Sequence, residues 1–141
     1  MYDTILIAAA LFSKGETTRT LIDKAKGLLN NGGRLVLVHV IDAVPKYIEQ
    51  QVPKSHMSAH QREAQDMLEE LAKGAGDIQC DVVIRTGTPS AGILGTAKET
   101  DADLIMIASH KPGFSDYFIG STAARVVRHS PVSVLVSRRF S

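Results

Sequence analysis

Four short apolar runs constrain the fold of this chain more than any other feature of its sequence. They are TILIAAA at Thr4 to Ala10, LVLVHVI at Leu35 to Ile41, LIMIA at Leu104 to Ala108 and VSVLV at Val132 to Val136. The first three lack a clean alternation of polar and apolar residues, which is typical of central strands in a parallel sheet covered on both faces. A less apolar run, DVVIR at Asp81 to Arg85, predicts a fifth strand near an edge.

Segments with helical spacing of apolar residues separate these runs. One covers Leu21 to Leu29 and is followed by a stop signal at Asn30 to Gly33. Another covers Ala64 to Leu71, including Met67, and Ser58 with Gln61 suits a capping box at its start.

Two further helices are predicted in the second half of the chain. Thr88 caps a helix that begins at Pro89. The last helix begins at Gly120 to Thr122, buries Ala123, Val126 and Val127, and ends at Ser130 and Pro131. The resulting βαβαβαβαβ order predicts an α/β fold, with a five-stranded parallel sheet and helices on both faces. Ligands of such sheets bind where the strand order reverses, here in the loops after the first and fourth strands.

Composition and charge exclude several classes of protein. The length of 141 residues fits one domain over residues 1–141. Sixteen basic and fifteen acidic side chains give a net charge of +1, which disfavours nucleic-acid binding. No apolar stretch reaches the ~20 residues that cross a bilayer. Cys80 is the only cysteine, and no secretory signal is recognisable, so a cytoplasmic protein is expected.

The stretch from Ile105 to His129 is the best candidate for a binding site. It combines a strand end, a loop with Gly113, and Gly120-Ser121-Thr122 at the start of a helix. A helix N-terminus offers free N–H groups and partial positive charge to an anion, which favours a phosphate site. Gly-Ser-Thr is equally typical of an ordinary helix cap, and the residues alone leave both interpretations open.

The same stretch resembles the universal stress protein family, whose usual signature after the fourth strand is G-x2-G-x9-G-[S/T]. The resemblance spans nearly the whole chain. It includes LVHVID at Leu37 to Asp42, TGTP at Thr86 to Pro89, ADLI at Ala102 to Ile105, and the segment Gly120 to Val136. It implies strand order 3-2-1-4-5 and ATP, with Mg²⁺, across the switch point between strands one and four. SHKP at Ser109 to Pro112 resembles small single-domain bacterial members with a shortened loop.

The resemblance also implies which residues bind the nucleotide. It assigns Gly120, Ser121 and Thr122 to the phosphates and Val40 to the adenine. Ala8, Ala9 and Ala10 would line the base and ribose. Ala108 and Lys111 occupy the positions of the two earlier signature glycines, with Ser109 and His110 between them.

This chain departs from the family pattern at both ends of the expected site. Ala108 and Lys111 replace glycines, and the spacing from Lys111 to Gly120 is one residue shorter than in the signature. The first strand commonly ends in Pro-x-Asp, whereas Ala8-Ala9-Ala10 provides no carboxylate near the ribose. Lys111 either offers its ammonium group to a phosphate or is a solvated loop residue.

The other reactive side chains predict no further chemistry. His56 and His60 are four residues apart but lack a third metal ligand, so no metal site is expected. His39 is interpreted as a core histidine with satisfied hydrogen bonds, and Cys80 as structural. His110 has no recognisable nucleophile or carboxylate partner, so we expect a binding protein and not an enzyme, with slow ATP hydrolysis or autophosphorylation left open.

The leading hypothesis is therefore a nucleotide-binding regulatory or protective stress protein. The alternative is a dimeric stress scaffold that binds no nucleotide. An enzyme on the same framework is disfavoured because neither a G-x-x-x-x-G-K-[S/T] loop nor an S-G-G-x-D-S loop is present. The apolar last strand predicts a homodimer through Val132, Val134 and Val136, with a tetramer as a further assembly.

Overall fold

A computed structural model of the protein describes residues 1–42, 54–109 and 120–138, apart from the side chains of residues 13 and 54–58. The elements are β1 (Tyr2–Ala8), α1 (Glu16–Leu28), β2 (Leu29–Ile41), α2 (Lys54–Ala72), β3 (Gln79–Thr86), α3 (Pro89–Glu99), β4 (Leu104–Ala108), α4 (Ser121–His129) and β5 (Ser133–Ser137). Short 3-10 turns precede α1 at Phe12–Gly15 and follow α2 at Lys73–Ala75.

The five strands form one parallel sheet in the order β3-β2-β1-β4-β5, which confirms the predicted fold class and strand order. The central strand is β1, where Ile7 pairs with Leu37 of β2 and with Met106 of β4. The less apolar β3 lies at one edge, as expected, and β5 lies at the other. The strand order reverses between β1 and β4, so the switch point lies there.

Alternate residues of the buried strands feed two separate cores. Ile5 and Ile7 face the first core with α1 and α2, whereas Leu6 faces the second with α3 and α4. This is the physical reason for the uninterrupted apolar runs, because both faces of each central strand are covered. Each fully buried Leu or Ile side chain contributes about 1.5–3 kcal/mol through burial of apolar surface.

Helix boundaries agree with the sequence in the second half of the chain. α3 begins at Pro89 directly after Thr88, and α4 ends at His129 before Ser130, as predicted. The predicted cap is wrong in its chemistry, because Thr88 makes no side-chain capping hydrogen bond, and Gly120 before α4 has no side chain that could cap it.

Boundaries in the first half differ from those predicted. The capping box at Ser58 is wrong, because α2 already begins at Lys54. Asn30 to Gly33 belong to β2, although a break was expected there. The pairing of β1 with β2 shifts between Tyr2 and Thr4, and Gly32 has a φ of 80°, so an irregular strand start accommodates these residues.

Two apolar side chains are more exposed than predicted. Val127 is 49% exposed and Met67 is 37% exposed. Each neighbours a fully buried residue of the same helix, Val126 or Leu68. One step along a helix rotates the side chain by about 100°, so the apolar stripe that faces the sheet excludes both residues. Within the described ranges, no helix is both long and apolar enough to cross a membrane.

Candidate functional site

A cavity of about 610 Å³ lies at the carboxyl ends of the central strands. We call it the switch-point cavity. Its lining comes from residues 8–12 at and after the end of β1, 38–40 of β2, 107–109 at and after the end of β4, Pro89 and Ile93 of α3, and 120–123 at the start of α4. The cavity therefore lies between the loops after the first and fourth strands, where the alternation of strands and helices predicts a ligand site.

The structure brings together the predicted site residues that it describes. Ala8, Ala9, Ala10, Val40, Ala108, Ser109, Gly120, Ser121 and Thr122 all line the switch-point cavity. His110 and Lys111 lie outside the described residues. The two interpretations of Lys111, a phosphate ligand or a solvated loop residue, therefore both stay predictions. Ala108 lines the cavity where the family signature has its first glycine.

Residues 120–123 form the wall of the cavity that we call the α4 wall, which offers backbone groups and hydroxyls. The Gly120 N–H donates to the Ser109 carbonyl oxygen over 2.6 Å, and the buried Ser109 donates its own N–H to Ser137 of β5 over 3.0 Å. These bonds fix the start of α4 against the end of β4. Since α4 begins without a side-chain cap, the N–H groups of its first turn and their partial positive charge are suited to an anion.

Residues 8–12 form the wall of the cavity that we call the β1 wall. Its side chains are apolar, and the hydrogen bonds of its backbone are directed into the protein. The Ala9 N–H donates to the Val38 carbonyl oxygen over 2.8 Å, which continues the β1–β2 pairing by one residue. The Ala10 N–H donates to Thr18 Oγ1, and that hydroxyl donates to the Ala10 carbonyl oxygen, each over 2.9 Å. This wall offers a ligand shape and apolar contact.

His39 is not the core histidine that the sequence predicts. It is half-buried and lines the switch-point cavity near the carboxyl end of β2. Its Nδ1 lies 3.2 Å from the Ala9 carbonyl oxygen, a distance at which a protonated Nδ1 donates a hydrogen bond. The expectation of a hydrogen-bonded imidazole is therefore met, while the expected position in the core is wrong.

α3 contributes to the cavity lining, which the sequence pattern alone does not predict. Pro89 and Ile93 line the cavity, and Gly92 packs closely against Val40. The sequence does contain a signal for this position of α3. A helix that follows a parallel strand begins at the carboxyl edge of the sheet, and α3 begins three residues after the end of β3. Leu11, Phe12, Val38, Ile107 and Ala123 complete the lining that was not predicted.

Charged side chains are absent from the described part of the cavity lining, whose polar side chains are His39, Ser109, Ser121 and Thr122. Such a site is suited to a ligand with an apolar body and an anionic end. Cys80 lies elsewhere, on β3, where burial raises the pKa of its thiol to about 11 with a smaller contribution from Asp81. A protonated, half-buried thiol agrees with a structural role.

Comparison with known proteins decides the family. The family model for the universal stress protein family matches residues 1–138. This chain belongs to that family. A universal stress protein of Thermus aquaticus is 27% identical over 140 residues, which cover 98% of this chain and 100% of that protein. The match to the universal stress protein Sll1388 of Synechocystis is 29% identical and covers 61% of this chain and 58% of that protein.

Solved structures share the universal stress protein fold. Hypothetical protein MJ0577 has a TM-score of 0.82 and 26% identity, covering 100% of this chain and 99% of its own. A universal stress protein of Archaeoglobus fulgidus in complex with dAMP has a TM-score of 0.62 and 16% identity, covering 96% of this chain and 97% of its own. Another universal stress protein, in complex with cAMP, has a TM-score of 0.60 and 21% identity, with 97% of each chain covered.

Proposed function

We propose that this universal stress protein binds an adenine nucleotide, ATP in particular, in the switch-point cavity. It would act in a regulatory or protective role through its nucleotide-bound state and not through rapid chemistry. One observation carries the proposal. The residues that the family resemblance assigns to the nucleotide are far apart in sequence, and every one that the structure describes lines the same cavity.

The shape and chemistry of the cavity support this proposal. Its volume of about 610 Å³ lies within the ~300–1,000 Å³ typical of small-molecule sites. Ala8, Val40 and Ile93 offer apolar surface to a base, and the first turn of α4 offers N–H groups and hydroxyls to phosphates. Since the described lining has no carboxylate, Mg²⁺ would arrive bound to the phosphates. The fold neighbours in complex with cAMP and dAMP point to the same class of ligand.

Titration calorimetry with ATP, ADP and AMP tests the proposal, together with native mass spectrometry of gently purified protein. Ser121→Glu should weaken nucleotide binding with little effect on folding, because it adds a carboxylate to the α4 wall, where a helix N-terminus tolerates negative charge. Ala124→Glu is the matched control, since Ala124 is exposed on the same helix and does not line the cavity. Absence of adenine nucleotide binding at millimolar concentration would refute the proposal.

A scaffold that binds no nucleotide is the alternative, and the replacement of the usual Pro-x-Asp by Ala8-Ala9-Ala10 favours it. Thermal unfolding separates the two functions. A ligand at about 100 times its dissociation constant stabilises the native state by about 2.7 kcal/mol, and a scaffold shows no such shift.

We further propose that β5 pairs with β5 of a second copy to form a homodimer, which could pair again into a tetramer. The Ser137 carbonyl oxygen accepts from Ser109, so Ser133, Leu135 and Ser137 direct their backbone groups toward β4. By alternation, Val134 and Val136 direct theirs toward the open edge. The side chains of Val132, Val134 and Val136 are half-buried against the second core.

Sedimentation of the wild type and of two proline variants tests this assembly. Val134→Pro removes an N–H that points to the open edge, so we expect a folded monomer. Leu135→Pro, the matched control, removes an N–H that points toward β4 and should destabilise the fold itself. A wild type that is monomeric at tens of micromolar would exclude the dimer. A Val134→Pro variant that stays dimeric would place the contact on another surface.

A further inference from the structure

Thr18 lies outside the switch-point cavity, yet its hydroxyl is bonded to the cavity wall. The Ala10 N–H donates to Thr18 Oγ1 over 2.9 Å, and the same hydroxyl donates to the Ala10 carbonyl oxygen over 2.9 Å. Thr18 is fully buried in the first turn of α1. A single side chain therefore satisfies both polar backbone groups of Ala10.

The chain needs this anchor because the sheet stops supporting it at that point. β1 ends at Ala8, and the last hydrogen bond to β2 comes from the Ala9 N–H. Backbone groups that leave a sheet in the interior must find other partners. The Thr18 hydroxyl replaces the missing strand for Ala10, and His39 Nδ1 lies within hydrogen-bond distance of the Ala9 carbonyl oxygen.

We infer that Thr18 is a positioning residue for the nucleotide site, whose hydroxyl holds the Ala9–Leu11 wall in the conformation that binds the nucleoside. The inference rests on the proposed function and adds to it a determinant that contacts no ligand. The affinity for the base and sugar is then set in part by a side chain behind the wall.

Removal of the hydroxyl should deform this wall toward the cavity. Thr18→Val keeps the shape of the side chain but leaves the Ala10 N–H and carbonyl groups without their partner. Thr18 is fully buried, so water is not available to replace the hydroxyl from behind. The Ala10 groups regain hydrogen bonds only by moving toward the solvent in the cavity. We expect nucleotide binding to weaken about tenfold.

Three variants isolate the effect of the hydroxyl. Thr18→Ser keeps the hydroxyl and should restore affinity to near the wild-type value. Thr20→Val is the matched control, because the exposed Thr20 hydroxyl donates to the Glu16 carbonyl oxygen within the same helix and does not bond to the cavity wall among the described residues. Calorimetric titration of each folded variant with AMP, ADP and ATP should give the same fold-loss for all three ligands in Thr18→Val, since the wall contacts the nucleoside they share.

Amide hydrogen exchange tests the anchor without relying on a ligand. The Ala10 amide of the wild type should exchange slowly, like amides of the sheet, and at least about tenfold faster in Thr18→Val. Fast exchange of Ala10 in the wild type would overturn the inference even if Thr18→Val does not fold.

The outcomes distinguish this inference from the proposed function. A wild type that binds no adenine nucleotide refutes the proposed function and, with it, the role of Thr18 in binding. A wild type that binds nucleotide, together with a folded Thr18→Val variant of equal affinity, overturns only the inference. Equal losses in Thr18→Val and Thr18→Ser would show that the methyl packing matters and the hydroxyl does not.

Discussion

Gly92 allows α3 to pack very closely against Val40, which lines the switch-point cavity. Replacement of Gly92 by alanine should therefore lower both the stability of the fold and the affinity for nucleotide. A Cβ at this position would lie 2.7 Å from Val40 Cγ2 and 3.2 Å from Val40 Cγ1. Val40 has a stiff, β-branched side chain, which has few alternative rotamers. The helix is also held in place, because Ile93 and Ala97 of the same helix are buried in the second core.

Two opposing effects decide the sign of the change in stability. Alanine is favoured over glycine inside a helix by about 1 kcal/mol. Overpacking of a filled core costs about 1–3 kcal/mol. We therefore expect Gly92→Ala to lower the free energy of unfolding by about 1 kcal/mol. Val40 lines the switch-point cavity, so displacement of its side chain into the cavity should lower nucleotide affinity as well.

Gly95→Ala in the same helix is the matched control. Its Cβ would lie 3.1 Å from Arg85 Nη1, the far end of a flexible side chain, so the gain in helix propensity should dominate. Urea unfolding monitored by circular dichroism gives both stabilities, and calorimetry with ATP gives the affinities. Equal stability of the two variants would refute the reasoning. In addition, Val40→Ala should partly rescue Gly92→Ala if the clash is with Val40.

Two other side chains give predictions about pH and reactivity. Burial raises the pKa of Asp103, but hydrogen bonds from the N–H groups of Asp3, Thr4 and Asp103 itself together lower the pKa by a larger amount. The net shift of this pKa is therefore downward. The contribution of Asp103 to stability is complete above the unfolded-state pKa of about 3.9, and it is lost as the pH falls through the lower folded-state pKa. Asp103→Asn should therefore reduce the decrease of the urea midpoint between pH 7 and pH 3. An unchanged acid dependence would contradict this. Cys80, with a pKa of about 11, should react with iodoacetamide at pH 8 far more slowly in the native protein than after unfolding, and equal rates would contradict its burial.

The fold was predictable because its main determinant is local in sequence. Runs such as LIMIA at Leu104 to Ala108 are apolar on both faces, and only a doubly covered sheet buries them. Pro89 after Thr88 marks a helix start through the backbone chemistry of proline itself. The pairing order of the strands, in contrast, came from the resemblance to a family and not from periodicity.

The missed features depend on contacts that local patterns do not encode. Asn30 to Gly33 looks like a break, yet β1 pairs with Leu29 before it and with Arg34 after it, so the stretch lies inside β2 as an irregularity. Val127 has the same side chain as Val126, and only the position of α4 on the sheet separates an exposed residue from a buried one. Thr18 reads as an ordinary residue in the first turn of a helix until its bonds to Ala10 are seen.

The two walls of the switch-point cavity would divide the recognition of a nucleotide between them. On the β1 side, Val38 accepts from the Ala9 N–H and Thr18 bonds both polar groups of Ala10, so these groups are already engaged inside the protein. That wall is left to select by shape. On the α4 side, Ser121 and Thr122 add hydroxyls to the N–H groups of an uncapped helix start, so in the proposed function this wall would select by charge and hydrogen bonding. Loss of the Pro-x-Asp carboxylate removes a polar contact only from the first wall. The proposed phosphate binding at the second wall does not depend on that carboxylate.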